Sequence, residues 1–104
     1  MVAVGNDGTI LGFQVLLLAT VGNIYNVTVG WGIIGTHISP SAARLGIGKA
    51  LFAETQENAR AFGFNQIDAS IGKENSAGLT YYEAMGFTTY RTLDEMVSKN
   101  FLLS

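Results

Sequence analysis

The chain of 104 residues has no cysteine, one proline, one histidine and few charges, with Asp, Glu, Lys and Arg together making up 13%. The missing cysteine excludes disulfides, thiolate zinc sites and a cysteine nucleophile together. A single histidine without a nearby carboxylate cluster argues against a metal site, and none is expected. The six basic residues, Arg44, Lys49, Arg60, Lys73, Arg91 and Lys99, are scattered, and the net charge is −2. A nucleic-acid partner would select clustered positive charge, so that class is disfavoured. The longest unbroken apolar run, Val15 to Ala19, is far short of the ~20 residues that a membrane span needs. No basic start leads into an apolar stretch in the manner of a signal peptide. The cytoplasm is the expected compartment.

Apolar side chains are plentiful, at 48% of residues. That is enough for one core in one domain over residues 1–104. The fraction is high for a soluble chain and predicts that another chain, as in a homodimer, covers part of the surface.

The opening MVAVGNDGTILGFQVLLLAT reads as a β-hairpin. Val2 to Val4 and Thr9 to Thr20 are its strands, and Gly5-Asn6-Asp7-Gly8 supplies turn residues that tolerate positive φ. Tyr25 to Ile38, rich in Val, Ile, Thr, Tyr and Trp, predicts a third strand interrupted by Gly30, Gly32 and Gly35. From Gly46 to Phe62 the period becomes helical, with Ile47, Leu51, Thr55, Ala59 and Phe62 on one face and Gly63 as the C-terminal cap. Gln66 to Ile71 is a short strand. Asn75 to Met85 is a second helix, capped by Asn75 or Ser76 and stopped by Gly86. Phe87 to Leu93 and Glu95 to Leu102 are two further strands. The predicted order is β-β-β-α-β-α-β-β.

The junction HISPSAARLGIGKAL concentrates the rare residues. Pro40 ends the third strand because it cannot donate to a ladder. Gly46-Ile47-Gly48 then opens the helix, whose first N–H groups lack partners and whose dipole favours negative charge. Glycines let phosphates approach those donors, and Arg44 and Lys49 add charge, so the junction is a candidate anion cradle. The competing reading is a strand-to-helix turn whose glycines only pack. A dinucleotide fingerprint is excluded because Leu51 stands where its third glycine belongs. A P-loop is excluded by Ala50 after Gly48-Lys49.

Ile38-Ser39-Pro40 followed by Ala43-Arg44-Leu45-Gly46-Ile47-Gly48 resembles the central motif of the GCN5-related N-acetyltransferases (GNAT). That motif is an apolar-x-Pro strand end, then Arg/Gln-x-x-Gly-x-Gly/Ala leading into a helix; Ala43 departs from it, with Arg44 beside it. ENSAGLTYYEAMGF is similar to the family's second signature, Asn-x-x-Ala-x-x-x-Tyr-x-x-x-Gly-Phe, with Asn75, Gly78 (for Ala), Tyr82, Gly86 and Phe87 at matching places. The resemblance spans residues 2 to about 102. It implies an α/β (α+β) fold, a mixed, largely antiparallel twisted sheet with helices packed on it. It also implies that the strand and one or two helices usual before the first hairpin are lacking here.

The resemblance further implies acetyl-CoA as acyl donor, held by Thr36, His37 and Ile38 along the pantetheine arm. The pyrophosphate would lie on Ala43, Arg44, Leu45, Gly46, Ile47, Gly48 and Lys49, with Asn75 and Tyr82 as further contacts. Tyr82 would protonate the departing sulfur, Tyr81 would pack, and the Ile38 N–H would face the thioester carbonyl. The family often bases its amine deprotonation on a strand glutamate, but Tyr25 to Ser39 holds no Asp or Glu. His37 is the one residue there with a suitable ordinary pKa. A one-residue register change would reverse its side, so the base stays open. Glu74 and Glu83 read as solvated helix carboxylates. The expected activity is N-acetyl transfer to a primary amine of a small molecule. A non-catalytic CoA-binding or regulatory module and a ligand-free structural domain are the alternatives.

Overall fold

The computed structural model describes residues 1–42 and 45–103. Six strands form one sheet: β1 (Val2–Val4), β2 (Ile10–Leu18), β3 (Gly32–Ile38), β4 (Gln66–Gly72), β5 (Thr88–Thr92) and β6 (Met96–Leu102). Their spatial order is β1-β2-β3-β4-β6-β5, and only β3 with β4 runs parallel. Helix α1 (Ile47–Phe62) makes the crossover between those two strands, and α2 (Ser76–Ala84) follows β4. The fold is therefore the expected mixed, largely antiparallel one, with its single crossover at the strand-helix-strand unit.

Side chains alternate across each strand, so the register assigns the faces. Leu16 pairs with Ile34 and Gln14 with Thr36, and these residues face the helices. Helix α1 buries Leu51, Phe52, Thr55 and Ala59 there. Phe52 is 2% exposed and packs its ring against Phe87 and Phe101. Burying one such side chain stabilises the fold by about 2–3 kcal/mol. Ile67, Ala69, Ile71, Tyr82 and Phe87 complete the core.

The helical face read from the sequence needs two changes. Phe62 is 67% exposed, because Gly63, at φ 99°, turns the chain away and leaves the ring stacked on Phe64. Phe52, beside Leu51, enters the core in its place. The third strand is also shorter than expected and begins at Gly32. Residues before it are held in turns because the Asn23 side chain supplies the local partners. Its amide donates to the Thr20 and Val27 carbonyls, and its oxygen accepts from Val27 N–H. Asn26 and Gly30 then adopt positive φ, which a strand does not tolerate.

On the opposite face of the sheet, Phe13, Val15 and Leu17 of β2 pair with His37, Gly35 and Ile33 of β3. Phe13, Val15 and Leu17 are exposed. Ile33 pairs with Asp68, which carries this face on to β4. Arg91 of β5 reaches over it and donates to the Tyr25 and Asn26 carbonyls.

Candidate active site

Strands β3 and β4 pair at only two places, Gly32 with Ile67 and Ile33 with Asp68. Beyond them the strands part, and Ile34 to Ile38 pair with β2 alone. The parting opens a cavity of about 430 Å³ between Thr36, His37 and Ile38 on one side and Ser70, Ile71 and Gly72 on the other. Asn75, the cap of α2, and Gly78, Tyr81 and Tyr82 within it close its end. One wall is thus a strand edge without a neighbouring strand, which suits an extended amide-bearing ligand.

The Tyr82 hydroxyl stands 2.8 Å from Thr36 Oγ1. The residue is buried and its ring meets Phe87 edge-on. Burial raises its pKa above 10.0, the Thr36 hydrogen bond opposing that shift, and the hydroxyl keeps its proton at neutral pH. It can therefore donate a proton into the cavity.

Helix α1 starts from Gly46 in the left-handed region, φ 74°, with no side chain capping it and no acidic residue in its first turn. A Cβ on Gly46 would meet nothing within 4 Å, so glycine is required there for its φ alone. A second cavity of about 450 Å³ runs along this turn, bounded by Gly46, Gly48, Lys49 and Tyr81. It shares the lining residues Ile38, Ala77 and Tyr81 with the first, so the cavities at the helix start and at the strand parting adjoin there. Lys49 is exposed at its edge, Ile47 is half-buried, and Leu45 is 66% exposed. Ala43 and Arg44 lie outside the described residues.

At Gly48 the packing reading, one of the two that the sequence leaves open, has a structural reason. A Cβ there would stand 2.5 Å from Tyr81 Cε1. The Tyr81 hydroxyl donates to the Gly48 carbonyl and accepts from Gln14 Nε2, both at 2.6 Å. Thr55 Oγ1 donates in turn to Gln14 Oε1 at 2.6 Å. Tyr81 is therefore more than a packing residue, since this buried chain ties α1, α2 and β2 together. Burial lifts its pKa to about 12.

Asn75 caps α2, its Oδ1 accepting from Gly78 N–H at 3.0 Å. A methyl on residue 78 would meet Asn75 Nδ2 at 2.6 Å and Ile71 Cγ2 at 3.2 Å. Glycine in place of the family's alanine lets Asn75 fold back while still lining the cavity. His37 is exposed at the cavity mouth, its ring 5.4 Å from that of Phe13. Glu83 is exposed, yet it pairs at 3.0 Å with Lys99, whose side chain is only 4% exposed.

One group escaped the sequence reading. Asp68 is fully buried; its Oδ1 accepts from the Tyr90 hydroxyl and its Oδ2 accepts from Ser70 Oγ at 2.8 Å. The signal lay in QIDASIG, where Ile67, Ala69 and Ile71 alternate with Asp68 and Ser70. Among the described residues no three His, Cys, Asp or Glu side chains are grouped to hold a metal ion, and no helix is long and apolar enough to cross a membrane.

The fold has relatives among solved structures. Nourseothricin acetyltransferase superposes with a TM-score of 0.79 at 22% identity, over 99% of this chain and 64% of that one. The PaiA N-acetyltransferase of Thermoplasma acidophilum, solved with coenzyme A, gives 0.78 at 19%, over 94% and 57%. A GNAT-superfamily phosphinothricin acetyltransferase of Sinorhizobium meliloti, solved with acetyl-CoA, gives 0.77 at 25%, over 99% and 60%. The chain thus spans about three fifths of the length of these proteins. No curated protein sequence matches it. Residues 1–87 match the model of the acetyltransferase (GNAT) family, and the chain belongs to that family.

Proposed function

We propose that the chain is a single catalytic domain over residues 1–104 that transfers an acetyl group from acetyl-CoA to a primary amine of a small molecule. One observation carries the reading: a cavity at the uncapped start of α1 adjoins a second one at the parting of β3 and β4, where the Tyr82 hydroxyl waits, and together they make the proposed groove. The groove fits the proposed acyl donor. The first turn of α1, with Lys49, offers donors and charge for the pyrophosphate. The residues Thr36, His37 and Ile38 offer an unpaired strand edge to the pantetheine amides.

The donor supplies an activated carbonyl, and the chain's residues manage orientation and protons. The Ile38 N–H, on the strand that β4 leaves unpaired, is the proposed donor to the carbonyl oxygen, supported by that open edge. Tyr82, kept protonated by burial, gives its proton to the leaving sulfur. Asn75 fixes the start of α2 and thereby the position of Tyr82 on it. The small-molecule acceptor is supported by the names of two similar proteins, the phosphinothricin and nourseothricin acetyltransferases. A homodimer is the proposed working form, supported by the exposed Val2, Phe13, Val15 and Leu17 on one sheet face. Sedimentation that finds only monomer would remove it. The proposed compartment, the cytoplasm, rests on the sequence reading alone.

Calorimetric titration with acetyl-CoA, CoA and 3′-dephospho-CoA tests the reading first. Saturable binding, about micromolar as for many cofactor sites, followed by thiol release with an amine panel, is the expected result. Absence of binding would reduce the groove to architecture.

A further inference from the structure

The attacking amine arrives protonated at neutral pH and must lose a proton before it can bond to carbon. His37 is one acceptor at the cavity mouth, but a second arrangement lies deeper. Ser70 lines the cavity, and its hydroxyl hydrogen is committed to Asp68 Oδ2 at 2.8 Å. A hydroxyl so committed has only lone pairs left to offer. It therefore selects a ligand that donates hydrogen, and an ammonium or amine N–H is such a ligand. Behind it, Asp68 has both oxygens engaged by hydroxyl donors, Ser70 and Tyr90, which is the pattern of an ionised carboxylate. Tyr90 is backed in turn by Trp31, the rings 5.5 Å apart.

We infer that Ser70 receives the proton of the amine acceptor and passes its own to Asp68, so that this pair, reached through the parting of β3 and β4, is the proton exit of the transferase. The inference rests on the acetyl-transfer reading above. The steps balance. The ammonium gives one proton to Ser70 Oγ while the Ser70 hydrogen moves to Asp68, leaving a neutral amine, an intact serine and a protonated carboxyl. The amine nitrogen then bonds the thioester carbonyl carbon and the carbon–sulfur bond breaks. The sulfur takes the Tyr82 proton, and the nitrogen's surplus proton returns to Tyr82. Asp68 afterwards releases its proton to solvent by the reverse path.

The ionisable groups that face Asp68 are Tyr90 and Arg91 of β5 and Tyr82 of α2. Burial raises the Asp68 carboxyl above 3.8, against the hydrogen bonds of Tyr90 and Ser70 and the charge of Arg91. That direction brings a carboxylate closer to the working range of a proton acceptor.

The test uses the full chain, acetyl-CoA and a panel of alkylamines and amino acids, reading thiol release against pH. Ser70→Ala is expected to cut kcat/KM about 100-fold at neutral pH, in line with a lost general base. The deficit should close as pH approaches the acceptor's own pKa, because free amine needs no base. Asp68→Asn should give the same profile and Ser70→Thr should restore the wild-type one, with acetyl-CoA affinity retained in all three. If Asp68→Asn does not fold, the two Ser70 variants decide alone. A deficit constant across pH, no deficit at all, or a base limb lost in His37→Gln and kept in Ser70→Ala would overturn the relay. Wild-type chain that binds acetyl-CoA and transfers to no amine would overturn the transferase reading and the relay with it.

Discussion

The ring of Tyr81 fills the space in which any side chain at residue 48 would stand, while its hydroxyl donates to the carbonyl of that same residue. Glycine at residue 48 is thereby required by the protein's own packing, whatever the groove binds. Gly48→Ala should destabilise the chain by about 1–3 kcal/mol, as overpacking does. Gly46→Ala, strained in φ with open space around it, should cost about 1 kcal/mol. Denaturant unfolding separates the two: adding Tyr81→Ala should offset part of the Gly48→Ala loss and none of the Gly46→Ala loss.

Tyr82→Phe keeps the ring in its aromatic cluster and removes only the hydroxyl. Turnover should fall about 10²–10⁴-fold, as for a lost general acid, with acetyl-CoA affinity nearly unchanged. Loss of the Thr36 partner should cost about 1 kcal/mol of stability. Steady-state kinetics beside calorimetric binding checks the first pair of outcomes, and a urea titration checks the last.

Lys99 is a buried ammonium that donates to Glu83 at 3.0 Å and to Thr89 Oγ1 at 2.7 Å. Glu83→Ala leaves that charge with one neutral partner and should cost about 1–3 kcal/mol. Lys99→Met, which removes the charge together with most of its desolvation penalty, should cost less. Thermal unfolding of the two variants orders them; equal losses would mean that the pair contributes by shape alone.

The raised Asp68 carboxyl makes a prediction about stability. Between 3.8, its ordinary value, and its folded value, the folded chain binds more proton than the unfolded one. Stability from this group is therefore present at acid pH and is lost as pH rises through that window. Urea midpoints measured near about pH 4 and about pH 7.5 should fall more across the interval for wild type than for Asp68→Asn. Taking the difference between the two proteins removes Asp7, whose carboxyl the Thr9 backbone hydrogen bond lowers.

Period and punctuation made most of the fold readable. Alternation placed β2 and β4 within a residue or two, and Gly63 and Gly86, at φ 99° and 102°, end the helices where glycine stood in the sequence. The third strand was overdrawn because Val27, Thr28 and Val29 have strand propensity, while the Asn23 side chain, whose partners are not visible in a string, takes up the Val27 backbone groups and keeps this segment out of the ladder. The Gly48–Tyr81 contact joins residues 33 apart. No local pattern encodes it, so the sequence left clearance for phosphate and close packing as two open readings of Gly48. Asp68 was passed over for a similar reason: the search for a base followed the strand before the glycine loop, and this carboxylate lies on the neighbouring strand.

Among the described residues, the two pairings between β3 and β4 are also the only strand-to-strand rungs joining β1-β2-β3 to β4-β6-β5. The sheet is thus two three-stranded panels sharing a short seam at one end. A molecule seated along the open part of that seam would bond to both panels and act as the missing rungs. Those bonds would make local opening rarer on both sides of the seam, measurable as slowed amide exchange in Ile34–Ile38 and Ser70–Gly72 together. Loading the groove would complete, with the ligand's own bonds, a seam that the protein leaves open.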